Sequence, residues 1–234
     1  MRINTELMHA VILAAGEGKR MQPLTLERPK PLIEVAGKPI IEHILDALPP
    51  EVDEIIVITG YKGQMIRERL RDSYGGRPIR YVHQWMPAGT AHALSIAHPF
   101  LGGRFLLMNA DDIHGARALA EMVKHPLSLL VAPHPEPQKF GVVTKNDDGT
   151  LAEIVEKPEN PTSNLVSTGA MVLDERVFNY AAPRHPNGEY YITDPFGALA
   201  KEVPMQVIEQ ELWIPVGYPE DIAKAEEILK ALGR

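Results

Sequence analysis

The residues with chemistry to offer crowd into positions 11 to 39, VILAAGEGKRMQPLTLERPKPLIEVAGKP. Gly16 and Gly18 shape a turn after an apolar run, Lys19 and Arg20 follow at once, and Lys30 and Lys38 stand among Pro23, Pro29 and Pro31. A glycine turn can aim backbone N–H groups at an anion, and cations beside it neutralise what those groups cradle. That combination suits a phosphate. A tight turn with basic residues on its solvated side would read the same way, so the finer spacing matters. A dinucleotide fingerprint G-x-G-x-x-G needs glycine at position 21, where Met21 stands. A Walker loop ending at Gly18-Lys19 needs glycine at 13 and a hydroxyl at 20, where Leu13 and Arg20 stand.

The surrounding pattern tells which elements must carry this loop. Strands are expected at 8–14, 54–59, 79–83 and 104–109, and helices at 39–48, 62–73, 90–98 and 115–124. Pro39 suits a first helical position, and Ile40, Ile41, Ile44, Leu45 and Leu48 then share one face. Alternation of this kind implies a mostly parallel sheet with helices on both sides, whose ligands sit beyond the carboxyl ends of the strands. The glycine loop, Gln84 and Asp111 all fall at such ends. The second half is more mixed. Strands are expected at 127–132, 140–145, 151–157 and 166–173, with Asn146-Asp147-Asp148-Gly149 as a hairpin turn. Helices are expected at 193–201 and 220–232, the last with Ile222, Ala225, Ile228, Leu229 and Leu232 on one side. Residues 1–7 precede the first strand as a short extension.

Composition narrows the class. A chain of 234 residues with 44% hydrophobic content can bury a sizeable core as one α/β domain. A net charge of -7 argues against nucleic acid as a partner, without forbidding a locally basic cleft. Cysteine is absent, which excludes disulfides, thiolate zinc sites and a catalytic thiol. The histidines show no metal-ligand spacing and are expected mostly on the surface or in loops. No apolar run is long enough for a membrane span and residues 1–9 lack signal-peptide character, so a cytoplasmic protein is the expectation.

The series L-A-A-G-x-G-x-R-M-x-P-L-T, then K-P-L and G-K-P-I, resembles the signature of sugar-1-phosphate nucleotidylyltransferases, the NDP-sugar pyrophosphorylases. Further segments follow in the family's order, and the resemblance runs from Val11 to about Leu232. It implies an α/β fold, a Rossmann-like three-layer sandwich with a mostly parallel mixed central sheet. It also implies a single domain over 8–234, with a nucleotide part to about 125 and a sugar-phosphate part from about 126. By resemblance, Leu13, Ala14, Ala15, Gly16 and Gly18 bind nucleotide. Gln84-Trp85-Met86-Pro87-Ala88-Gly89-Thr90-Ala91-His92-Ala93 matches the base-recognition segment. There Gln84 can donate and accept toward a base edge, Gly89 lets backbone approach the ring, and Thr90 can cap the following helix. Alone, that segment is equally a helix start, and His92 need not touch a ligand. Asp111, in Asn109-Ala110-Asp111-Asp112, occupies the place of a magnesium-binding aspartate, whereas Asp112 suits a helix N-cap.

On the sugar-phosphate side the resemblance assigns Asn109, Gly141, Glu156, Lys157, Thr168 and Gly169, with Glu156 on sugar hydroxyls and Lys157 on the phosphate. Gly141 and Gly169 would admit the sugar closely. Without the family context, Glu156-Lys157-Pro158 is only a charged strand end. Thr193 and Asp194, in a G-E-x-x-I-T-D segment, suit helix capping. The implied chemistry is in-line attack of the sugar phosphate on the α-phosphorus of UTP or dTTP, with Arg20, Lys30 and Lys157 as catalytic cations and Mg2+ as cofactor. A homo-oligomer is compatible with this pattern. A left-handed β-helix tail with a second acyltransferase activity is not expected.

One position departs from the family. Its W-x-D-x-G-T/Y-P-x-D segment supplies a second metal aspartate, and here Trp213-Ile214-Pro215-Val216-Gly217-Tyr218-Pro219-Glu220-Asp221 puts proline in that place. Water, phosphate oxygens or Asp112 could complete the shell, or magnesium could bind more weakly, or the chain could bind without catalysing. The alternatives to a sugar-phosphate enzyme are a cytidylyltransferase for phosphocholine or a similar alcohol, and a noncatalytic nucleotide-sugar-binding regulator.

Overall fold

The computed structural model describes residues 7–233. The expected extension thus lies outside the described residues except for Leu7, which is exposed. The first half runs β1 (Met8–Ala14), β2 (Glu34–Val35), β3 (Lys38–Pro39), α1 (Ile40–Asp46), β4 (Val52–Thr59), α2 (Gly63–Leu70), β5 (Ser73–Tyr74), β6 (Arg77–His83) and α3 (Thr90–Ala97). It continues with β7 (Arg104–Asn109), β8 (Asp112–His114) and α4 (Ala116–Met122). The second half runs β9 (Ser128–Pro133), β10 (Gly141–Lys145), β11 (Leu151–Glu156), β12 (Leu165–Asp174), α5 (Thr193–Ala200), β13 (Gln206–Glu209), β14 (Trp213–Pro215) and α6 (Pro219–Ala231).

Strands β7, β1, β4 and β6 lie side by side and parallel, and β12 continues that sheet antiparallel to β7. Strand β12 also pairs with β9 and β10, β9 with β13, and β10 with β11, so both halves share one mixed sheet. Side chains alternate across it, because successive strand residues point to opposite faces. Ala10, Ile12, Ile55, Val57, Leu106 and Met108 pack on one face with the apolar residues of α1, α2, α4 and α6. Val11, Ile56, Ile58, Phe105 and Leu107 pack on the other with Ala93, Leu94 and Ala97 of α3 and Phe196 and Leu199 of α5. The expected three-layer sandwich with a mostly parallel core is therefore observed. Leaving β1, the chain adds β4 and β6 on one side and then returns to add β7 on the other. A crevice opens at such a reversal, between the ends of β1 and β7.

The expected hairpin turn forms, with Gly149 at φ 80°. Some expectations fail for identifiable reasons. Pro39 ends β3 in extended backbone, and α1 begins at Ile40. Ile228 of α6 and Leu232 just after it are exposed, because the stripe facing the core follows Ile222, Ala225 and Leu229. Most histidines are at least partly exposed, as expected, and His9, His43 and His114 are the buried exceptions. His43 Nε2 bonds the Val35 carbonyl (2.9 Å), which ties α1 to the β2–β3 hairpin. The short β8–β14 pair, opposing Pro215 to Asp112, had no periodicity from which to be read.

Candidate active site

Strand β1 delivers the glycine loop to the crevice. Gly18 adopts φ 63°, where a side chain would also meet Thr25 Cγ2 at 3.0 Å and Lys30 Cβ at 3.1 Å. The Thr25 hydroxyl donates to the Gly18 carbonyl (3.0 Å), and the Tyr61 hydroxyl donates to the Thr25 carbonyl (2.9 Å). Glycine at 18 is thus demanded by the fold of the loop itself. Gly16 differs: no protein atom lies within 4 Å of where its Cβ would stand, so that side stays open to a ligand.

Lys30 enters from a short 3₁₀ turn, Lys30–Leu32, with its side chain 9% exposed. A buried ammonium needs an anionic partner, and Nζ lies 2.6 Å from Asp111 Oδ2. Burial works to raise the Asp111 pKa, but the attraction and hydrogen bond of Lys30, with Arg20 behind them, hold it below the ordinary aspartate value. The Ala110 N–H donates to the Leu13 carbonyl (3.2 Å), joining the ends of β7 and β1. Arg20 itself is exposed, its guanidinium 5.1 Å from the Tyr218 ring centroid. Asp112 is no helix cap, since Gly115 precedes α4. Its Oδ1 accepts from Trp213 Nε1 (2.9 Å) and its Oδ2 from Asn109 Nδ2 (3.2 Å). Burial, and then the Asp111 charge, push its pKa up to about 7 against those two hydrogen bonds.

Gln84 follows β6, buried, with its Nε2 2.8 Å from His92 Nδ1 and 3.4 Å from the Gly89 carbonyl. His92 therefore orients the amide, a role that its place inside a helix concealed. Gly89 (φ 92°) makes room for protein backbone rather than only for a ligand: a Cβ there would stand 2.4 Å from the Tyr190 carbonyl oxygen. Thr90 does not cap α3; its Oγ1 accepts from the Ile192 N–H (3.0 Å).

Residues 188–193 form a strap joining the segment from Gln84 to Ala93 to Glu156 and Lys157. Beyond the contacts to Gly89 and Thr90, the Thr193 hydroxyl donates to Glu156 Oε2 (2.9 Å) and Lys157 Nζ donates to the Tyr191 hydroxyl (3.1 Å). Lys157 also lies 3.2 Å from Glu156 Oε1. Partial burial works to lower the Lys157 pKa, but Glu156 and Tyr191 raise it above the ordinary lysine value. Thr193 and Asp194 are thus braces, Asp194 Oδ2 meeting His185 Nε2 at 2.9 Å, and neither caps α5. The order of the G-E-x-x-I-T-D segment among the other motifs was the available signal for this.

Three expected sugar contacts change character. A Cβ at Gly169 (φ 79°) would stand 2.2 Å from Asn109 Nδ2, and one at Gly141 3.1 Å from Thr193 Cγ2, so both glycines admit neighbouring side chains. Thr168 is 1% exposed, its hydroxyl donating to the Leu130 carbonyl (3.0 Å) and accepting from Gln210 Nε2 (2.6 Å). Its side chain faces the core and not the crevice, as strand alternation beside Gly169 requires.

Comparison with known proteins gives the family. The nucleotidyl transferase family model matches residues 9–231. The UTP–glucose-1-phosphate uridylyltransferase AglF of Haloferax volcanii is 37% identical over 95% of this chain and 97% of its own. The bifunctional protein GlmU of Methanocaldococcus jannaschii is 36% identical over 95% of this chain and 54% of its own, so the chain spans about half the length of that relative. Among solved structures, UDP-glucose pyrophosphorylase complexed with UDP-glucose superposes with a TM-score of 0.85 at 21% identity, covering 97% of this chain and 99% of its own. Among the described residues, no helix is long and apolar enough to cross a membrane.

Proposed function

The chain belongs to the nucleotidyl transferase family, and from that premise we propose that it joins UTP or dTTP to a sugar 1-phosphate, releasing pyrophosphate. The observation that carries this reading is the way three cations are held. Lys30 is buried against Asp111, Arg20 stands exposed against the Tyr218 ring, and Lys157 is set by Glu156 and Tyr191 at the end of β11.

An oxygen of the sugar phosphate forms a bond to the α-phosphorus while the bond from that phosphorus to the bridging oxygen breaks, and pyrophosphate leaves with the electron pair. Positioning and charge stabilisation supply the acceleration, and no covalent intermediate on the protein is needed. Lys30 offsets charge around the α-phosphate, Lys157 holds the attacking phosphate, and Arg20 receives the departing one through its fork of donors. Gln84 has its Nε2 engaged by His92 and Gly89, which leaves its carbonyl oxygen to accept the ring N3–H shared by uracil and thymine. Cytosine and adenine present an acceptor there instead.

Magnesium fits this donor set only in company with the nucleotide. Asp111 offers one carboxylate, both oxygens of Asp112 are engaged, and Pro215 opposite it has no side-chain oxygen. One carboxylate completed by substrate phosphates is within magnesium's habits, so Asp111 is the residue that would hold it. Bound there, magnesium would neutralise phosphate charge.

The test is pyrophosphate release across a panel of nucleoside triphosphates and sugar 1-phosphates, with divalent cation titrated, for the wild type and Pro215→Asp. Turnover with UTP or dTTP is expected, at a magnesium half-saturation that falls in Pro215→Asp. Turnover only with CTP and a phosphorylated alcohol, or binding without turnover, would replace this reading with the cytidylyltransferase or the regulator.

A further inference from the structure

Arg20 reaches the crevice from an exposed turn, yet its guanidinium has a fixed neighbour in the Tyr218 ring, 5.1 Å away. We propose that Tyr218 is a positioning residue, its ring holding the Arg20 guanidinium ready for a pyrophosphate group without neutralising it. The proposal rests on the reading of Arg20 as the clamp for the departing phosphates.

The ring is rooted in a stiff segment. Asp221 Oδ2 accepts from the Gly217 and Tyr218 N–H groups, both at 2.8 Å, and Pro219 opens α6 immediately after. Two residues before Tyr218, the Val216 N–H donates to the Asp111 carbonyl (3.0 Å). The backbone that carries Tyr218 is therefore tied to the strand end that carries the Asp111–Lys30 pair. This is the same segment whose Pro215 offers no metal ligand. What it contributes to the phosphate side is an aromatic face.

The chemistry explains why a ring is suited to the task. A carboxylate would also hold Arg20, but it would occupy the N–H donors and cancel the charge that a phosphate needs. An aromatic face attracts the cation through its quadrupole and leaves the donors at the guanidinium edge unspent. No ion pair of Arg20 is seen among the described residues, and the Asp111 carboxylate, held by Lys30 at 2.6 Å, acts on it only from further off. Lys139 lies near enough to repel Arg20, although Glu136 Oε1 at 2.8 Å draws off part of its charge. Without the ring, that repulsion and solvation would favour other positions of the arginine. A cation–ring contact at an exposed site is worth about two- to fivefold in an equilibrium, and misplacing a clamp costs more.

Calorimetric titration of inorganic pyrophosphate into the whole protein tests this. The variants are Tyr218→Phe, Tyr218→Leu, Arg20→Ala and the Arg20→Ala/Tyr218→Leu double. Tyr218→Leu should weaken pyrophosphate binding about fivefold, while Tyr218→Phe, which keeps the ring, stays within about twofold of wild type. On the Arg20→Ala background, Tyr218→Leu should cost nothing further, because there is no guanidinium left to place. Urea midpoints of the Phe and Leu variants should coincide. Wild-type binding in Tyr218→Leu, an equal loss in Tyr218→Phe, a loss that persists without Arg20, or no pyrophosphate binding by the wild type would each overturn the proposal. If pyrophosphate binding depends on the ring but no nucleotide sugar is ever made, the proposed function falls and this inference stands.

Discussion

The half built on β7, β1, β4 and β6 and the half built on β9 to β13 hold their polar groups by different means. In the parallel half, the polar groups leave strand ends that meet at one edge of the sheet. Gly18 is braced by Thr25, Lys30 by Asp111 across the β1–β7 crevice, and Gln84 by His92 eight residues on. In the antiparallel half the bracing comes from the strap and from β7. Glu156 is held by Thr193, Lys157 by Tyr191, and Gly169 is filled by Asn109, each from a distant part of the chain. The physical cause is strand direction. Parallel strands bring successive carboxyl ends to one edge, so short loops can build a site there. Antiparallel strands send their ends to opposite edges, and a separate strap, residues 188–193, has to gather the groups. The lesson is that parallel strand ends meet at one edge unaided, while antiparallel ones need a strap to gather their groups.

Variants can break or sharpen that contrast. The largest effect is expected on the parallel side: Lys30→Ala should lower kcat/KM by about a thousandfold, roughly 4 kcal/mol of transition-state stabilisation, with far-UV circular dichroism unchanged. A coupled assay for pyrophosphate reads it, and near-normal turnover would remove Lys30 from the chemistry. Next come the glycines. Gly169→Ala forces a side chain into φ 79° against Asn109, at a cost of about 3 kcal/mol in urea unfolding. Gly16→Ala, with open space before it, should change stability by no more than about 0.5 kcal/mol and act instead on the nucleotide KM. Equal losses of stability would contradict the difference drawn between the two positions. The smallest effect should come from the braces. Thr193→Val removes the hydrogen bond to Glu156, worth about 1 kcal/mol, and should raise the sugar-phosphate KM about fivefold while leaving the nucleotide KM alone. A matching rise in the nucleotide KM would mean that the strap serves both substrates alike.

The two halves were also unequally legible. Strands β1, β4 and β7 could be read because they are largely apolar runs, mostly buried, and their convergence follows from the parallel rule. Gly16, Gly18, Arg20, Lys30, Gln84 and Asp111 could be named because each falls within a compact motif that resembles the family's, although the pairing of Lys30 with Asp111 joins two separate motifs. The second half resisted for the opposite reason. Thr168 sits beside Gly169 in the same motif, and only the pleat decides that its hydroxyl turns inward to Leu130 and Gln210. Thr193 and Asp194 read as caps because capping is local, whereas Glu156 and His185 are brought to them by the fold.

What the sequence determined by itself was the kind of chemistry: glycines, cations and a strand-end carboxylate in an order that resembles one family, with a proline in place of that family's second acid. Tertiary structure alone decided who holds whom. It put Lys30 on Asp111, Tyr218 under Arg20 and Asn109 into the space beside Gly169. Residue type and spacing limit what a side chain can do. Which partner it meets depends on pleat direction, strand order and loop path, and those are settled only when the whole sheet packs.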